Sequence, residues 1–157
     1  MVTRSVFRAR TFSLALLTLA TALTSSAVLA KEAPIAKVEV RTLVEREDRD
    51  LRQVLREKVE SELSHVDLSG APKGSRFVLS ASLVRLETST KGSASTSSCR
   101  VSLMLREAER GALRAVLDGS ALAEDAATAK ARAESFAIEG AVRGALRALP
   151  EAVKKAD

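Results

Sequence analysis

The sequence predicts an α+β fold: a two-layer sandwich of order β-α-β-β-β-α, with about four mostly antiparallel strands and two main helices. Three observations predict it. Four short runs alternate apolar and polar residues, two longer stretches repeat apolar residues at three and four, and turn-forming segments separate them.

Residues 36–44 alternate, with Ala36, Val38, Val40 and Thr42 on one side and Lys37, Glu39, Arg41 and Leu43 on the other, as a half-buried strand does. The period then changes. Over residues 46–66, Leu51, Val54, Leu55, Val59, Leu63 and Val66 make one stripe of an amphipathic helix. Glu45, Glu47, Asp48 and Asp50 stand in its first turn, where the helix dipole favours anions, and Gly70, Pro72 and Gly74 end it.

A second alternating run, residues 77–86, sends Phe77, Leu79, Ala81 and Leu83 one way and Val78, Ser80, Ser82 and Val84 the other. Residues 88–98 are dominated by Ser and Thr around Lys91-Gly92, too polar to bury much surface, and read as a mobile hairpin loop. Residues 99–106 alternate again, with Cys99, Val101, Leu103 and Leu105 inward and Arg100, Ser102, Met104 and Arg106 outward. A turn at Glu109-Arg110-Gly111 returns the chain through Leu113, Ala115 and Leu117, opposite Arg114, Val116 and Asp118.

From about residue 126 to 149 the chain is Ala-rich and helical, with Ile138, Val142, Ala145, Leu146 and Leu149 as its buried stripe. Gly140 and Gly144 would let this helix approach a neighbour closely. Pro150 closes it or starts a short turn that keeps Val153 against the body. The helix between the first two strands implies a crossover, and the short connections among the last three imply an antiparallel meander.

The 157 residues carry 25 Lys and Arg against 20 Asp and Glu. Arg4, Arg8 and Arg10 lie in an acid-free amino-terminal stretch; without residues 1–30 the balance falls to 22 against 20, so a nucleic-acid partner is not expected. Beyond that stretch the aromatics are Phe77 and Phe136 alone, too few for a platform that stacks bases or sugars.

Residues 1–30 have the layout of a secretory signal peptide: basic start, an apolar run, and small residues before a cut between Ala30 and Lys31. The run is too short to span a bilayer, which takes about 20 apolar residues, so no stable membrane anchor remains after cleavage. No Cys follows it to be acylated. The expected protein is a single periplasmic or secreted domain over residues 31–157. Its one cysteine, Cys99, lies on an apolar strand face and reads as a buried thiol.

Chemistry is hard to find. His65 is the only histidine, near a helix end where the dipole favours its charge, and with a single Cys it forms no metal-ligand spacing. There is no nucleophile elbow, P-loop or dinucleotide fingerprint, and Glu107, Glu109, Glu124 and Asp125 read as element-end charges. No enzymatic activity, cofactor or metal is expected.

The second sheet face is the more informative. If both helices lie on one side, Ser80, Ser82, Ser102, Met104 and Val116 face out with Val78 and Val84, ringed by Arg100, Arg106, Arg114 and Asp118. Small and moderately apolar residues rimmed by Arg fit a protein-binding surface. Alternatively the carboxy-terminal helix packs on this face.

Three segments carry a resemblance: Arg76 to Leu83, Cys99 to Ala108, and Gly111 with Leu113 to Asp118. Together they resemble a group of bacterial envelope domains found in penicillin-binding-protein activator lipoproteins, curli-secretion-type lipoproteins, the amino-terminal domain of TolB and auxiliary lipoproteins of lipid-transporting ABC systems. Three positions depart from that group: Ala81 replaces a usual Gly, Val116 and Leu117 lack an aromatic, and the lipoprotein Cys is missing. The resemblance implies a small periplasmic α/β domain that works by binding other envelope proteins. The expected function is therefore an exported adaptor or accessory factor, with Arg100, Arg106 and Arg114 orienting its partner. The competing reading is a carrier of a small apolar or lipid-like ligand, held where Ala141, Gly144 and Ala145 leave room beneath the second helix.

Overall fold

In the computed structural model, which describes residues 33–155, the alternating runs become four strands: β1 (Ile35–Thr42), β2 (Phe77–Lys91), β3 (Ala94–Glu107) and β4 (Leu113–Ala126). The helices are α1 (Leu51–Leu63), α2 (Lys130–Leu146) and the short α3 (Leu149–Lys154), with a 3-10 turn at Ala127–Ala129 leading into α2. The strands form one sheet in the order β1-β2-β3-β4. β1 pairs parallel to β2 through the α1 crossover, and the other two ladders are antiparallel, so the α+β sandwich is the observed architecture. The proposed leader and the cut at Ala30 and Lys31 lie outside the described residues.

Local chemistry sets the element ends. Asp50 caps α1, its carboxylate accepting from the backbone N–H of Arg52 at 2.9 Å and of Gln53 at 3.2 Å. The helix thus begins later than its acidic approach suggested, and Glu45, Glu47 and Asp48 precede it instead of occupying its first turn. Pro150 sits in the first turn of α3, which buries Leu149 and Val153 under the sheet end. Gly92 holds φ at +60° in the two-residue turn between β2 and β3, a conformation that favours glycine.

That turn carries the largest departure from the sequence reading. Residues 88–98 are not a mobile loop; they continue β2 and β3 in register from Thr88↔Ser97 to Lys91↔Ala94. Ser95 and Ser97 are fully buried. They are ordered because the segment before α1 and the start of α2 close over them. Glu134, 3% exposed, accepts from the Thr88 hydroxyl at 2.7 Å and pairs with Arg49 and, at 3.6 Å, with Arg46. Thr88 and Ser97 share a hydroxyl hydrogen bond at 2.9 Å, and Arg46 and Arg49 donate further to the carbonyls of Leu86 and Ala131. A network of this kind replaces the apolar burial that the segment lacks.

Both long helices lie on one face of the sheet. Leu51, Leu55 and Val59 of α1 and Ala137, Ile138, Ala141, Val142, Ala145 and Leu146 of α2 pack with Phe77, Leu79, Leu83, Val101, Leu103 and Leu105 in a single core. A bulge between Leu83 and Arg85 shifts the alternation, so Leu86 continues the buried column. The helices are tied side by side by Lys58–Glu139 at 2.8 Å and Arg143–Glu62 at 2.7 Å. β4 continues past residue 118 because Gly119, Ala121 and Ala123 are small enough for α2 to lie on them. At Gly119 a Cβ would stand 1.9 Å from the Ala141 carbonyl oxygen.

Candidate functional site

With both helices on one side, the other face of the sheet has no layer over it among the described residues. The register sets its rows. Glu39, Ser80, Met104 and Val116 lie side by side across the four strands, and Arg41, Ser82, Ser102 and Asp118 form the next row. Of the predicted face, Ser80, Ser82, Ser102, Met104 and Val116 are thus brought together, with Val78 and Val84 at its margins.

The charges are arranged differently from the expectation. Arg106 is half-exposed and already engaged: its Nη2 donates to Glu39 Oε2 at 3.0 Å and to the Ser80 hydroxyl at 2.8 Å. Ser80 in turn donates to Glu39 Oε2 at 3.1 Å, and Lys37 pairs with Glu39 Oε1 at 2.9 Å. The hydrogen bond from Lys37, then that from Ser80, hold the Glu39 carboxyl below the usual range. This cluster lids Ser80, which is only 4% exposed although its face is open.

Arg114 does not join that row. A bulge opposite the Leu105–Arg106 step displaces it, and it pairs with Glu107 at the end of the sheet. There it lines a cleft with Arg76, Phe77, Glu109 and Arg110. Arg100 is exposed and stands directly opposite Arg85, whose guanidinium is paired to Glu87 at 2.6 Å. Two of the three arginines expected to orient a partner are therefore held by carboxylates that sequence reading had not assigned. Glu39 was legible as a polar position on β1; its meeting with Arg106 depended on the parallel pairing of β1 and β2.

The space proposed for an apolar ligand is closed. Ala141 and Ala145 are buried against Gly119, and Gly144 faces the Gly119 backbone, so helix and strand are in contact where room was expected. A cleft of about 520 Å³ does open elsewhere, between the ends of α1 and α2, lined by Glu62, His65, Val66, Arg143, Leu146 and Pro150 among others. His65 Nδ1 lies 2.8 Å from the Ser61 carbonyl, past the end of α1. Cys99 is buried and burial pushes its thiol up to about 12, which makes it a poor nucleophile. Among the described residues no group of three or more His, Cys, Asp and Glu side chains is placed to hold a metal, and no helix is long and apolar enough to cross a membrane.

No protein-family model matches the chain, and no curated protein matches it. Solved structures do. A hypothetical protein of Chlamydia trachomatis shares 11% identity over 77% of this chain and 98% of its own, with a TM-score of 0.48. A PelC dodecamer from Paraburkholderia phytofirmans shares 16% over 77% and 86%, with a TM-score of 0.47. A minor lipoprotein of Acinetobacter baumannii shares 10% over 73% and 92%, with a TM-score of 0.38. Lipoproteins are thus among the structures similar to this chain.

Proposed function

We propose that the chain is an exported, non-enzymatic protein of the bacterial envelope that binds another envelope protein through the open face of its sheet. One observation carries the reading. Strands β2, β3 and β4 spend the middle of their second face on Ser80, Ser82, Ser102, Met104, Val78, Val84 and Val116, while both long helices stay on the first. A face meant only for water would alternate apolar-in with charged-out, as the outward positions of α1 do. Here Lys37, Glu39, Arg41 and Asp118 stand on the outer strands β1 and β4, and Arg106 and Arg114 are engaged by Glu39 and Glu107. A surface of small and moderately apolar groups with pre-paired charges around it has the anatomy of a protein interface: an apolar centre and a polar rim.

The leader supports the compartment, periplasmic or secreted, and the resemblance to activator-type lipoproteins and the TolB amino-terminal domain supports a protein partner. Neither nucleic acid nor a cofactor enters this function. A photoreactive residue at Met104, compared in living cells with one at the helix-side residue Arg56, tests it. Capture of a discrete envelope protein from Met104 and not from Arg56 is the expected result; equal capture from both, or from neither, contradicts the open face as the binding surface.

A further inference from the structure

The open face ends at a long unpaired edge. β4 is the last strand of the sheet, and among the described residues it pairs along its 14 residues on one side only, with β3. Ala127 N–H donates to the Ser93 carbonyl at 2.8 Å, and the ladder runs without a shift from Ala94↔Ala126 to Leu105↔Ala115. Antiparallel geometry then assigns the odd-numbered residues of β4 to β3 and leaves the N–H and C=O groups of Val116, Asp118, Ser120, Leu122 and Glu124 facing outward. The end of this edge is closed locally, since Ala126 N–H donates to the Asp125 carboxylate at 2.8 Å, but the middle is not. On it stand two of the most exposed large apolar side chains, Val116 at 51% and Leu122 at 71%.

We propose that this edge binds a second copy of the chain, β4 against β4, antiparallel about a two-fold axis at Gly119. The sequence of the edge is self-complementary in that register. Val116 falls opposite Leu122 of the second copy, and Asp118 falls opposite Ser120. Neighbouring registers lose this. An axis at Asp118 sets that carboxylate against itself, and one at Ser120 sets Val116 against Glu124 and Asp118 against Leu122. Axes between residues would face outward backbone groups with inward ones, so hydrogen bonding excludes them. On the helix side the strand offers Ala115, Leu117, Gly119, Ala121 and Ala123, with Leu117 packed against the core, and the residues of α2 nearest Gly119 and Ala121 include Gly144 and Gly140. Solitary edge strands are normally protected by charge; here the charges are placed so that the strand accepts its own image.

Pairing would join two open faces into one eight-stranded surface and double its valency, independently of what that surface binds. The test uses the full chain with Cys99 kept, because that thiol is buried. Single variants Val116→Cys and Leu122→Cys are oxidised separately and as a mixture. In the proposed register the two positions are directly opposite, with Cα atoms about 5.5 Å apart, within disulfide reach. The expected result is a disulfide-linked species of twice the monomer mass in the mixture and none in either variant alone, together with a dimer of the unmodified chain in sedimentation equilibrium that Leu122→Arg converts to monomer. A chain monomeric at all concentrations overturns the proposal, and so does a dimer that yields no 116–122 crosslink.

Discussion

On the helix side of the sheet, Leu79, Val101, Leu103 and Leu105 are fully buried; on the other side of the same strands, Ser82, Ser102 and Met104 have no layer above them among the described residues. The strands are identical, and only the side differs. The first face is specified by volume, because α1 and α2 must fill the space over it at crystal-like density. The second carries small and moderately apolar side chains at its centre, Ser82, Ser102 and Met104, with Arg106 engaged by Glu39, while Arg41, Asp118 and Leu122 stand on its outer strands. Position on the alternation thus decides not only burial but the kind of constraint a residue is under.

Substitutions sharpen this contrast. The largest effect is expected at Leu103, where truncation to Ala leaves a cavity in the core and lowers unfolding free energy by about 2–5 kcal/mol. On the opposite face, Val116→Ala changes it by no more than about 0.5 kcal/mol. Urea unfolding of the two variants checks both values. Equal losses would mean that the open face is packed after all.

Glu134 marks the polar end of the buried side. Replacing it with Ala leaves Arg49 and Arg46 without their carboxylate above the Thr88 and Ser97 pair, and costs about 3 kcal/mol, within the range for breaking a buried ion pair. Hydrogen exchange should locate the loss in residues 88–98, the outer half of the β2–β3 hairpin, before the rest of the sheet. Gly119→Ala acts at the helix contact instead. Its Cβ meets the Ala141 carbonyl oxygen and the Ala145 backbone nitrogen, neither of which can swing aside, so overpacking of about 1–3 kcal/mol is expected in the same unfolding assay.

The smallest effect is electrostatic. The Arg132 guanidinium, hydrogen-bonded to Asp125, and then the Ala126 N–H hold that carboxyl down from its ordinary 3.8 to about 2. A depressed carboxyl stabilises the fold above its unfolded value, and the contribution is lost as pH falls from about 3.8 through about 2. Arg132→Ala should return the Asp125 carboxyl toward its ordinary range in an NMR titration. An unchanged titration would detach the start of α2 from the end of β4.

How much of this was legible follows the same division. The alternation over residues 77–86 and 99–106 was enough to divide the side chains between two faces, because apolar volume announces itself locally, but left open which face α2 covers. Helix α2 was readable for the same reason, and the short turn holding Val153 was anticipated from Pro150. What escaped was polar order. Residues 88–98 looked like a loop since their stability comes from Glu134, Arg46 and Arg49, each far away in sequence, and the only local hint was a Glu on the buried stripe of an Ala-rich helix. Arg114 was misplaced because a β-bulge has no strong sequence signature, and one extra residue sends a side chain elsewhere. The pairing of Arg106 with Glu39 required the strand order, which alternation alone does not supply.

Met104 offers the most direct test, since it is the only methionine after Met1 and stands in the middle row of the open face. Its oxidation to the sulfoxide under mild peroxide is compared between the purified chain and the chain in intact cells, with mass spectrometry of the peptide that contains it. Ready oxidation in isolation and protection in the cell, where a partner covers the face, are expected. Equal oxidation in both would contradict this.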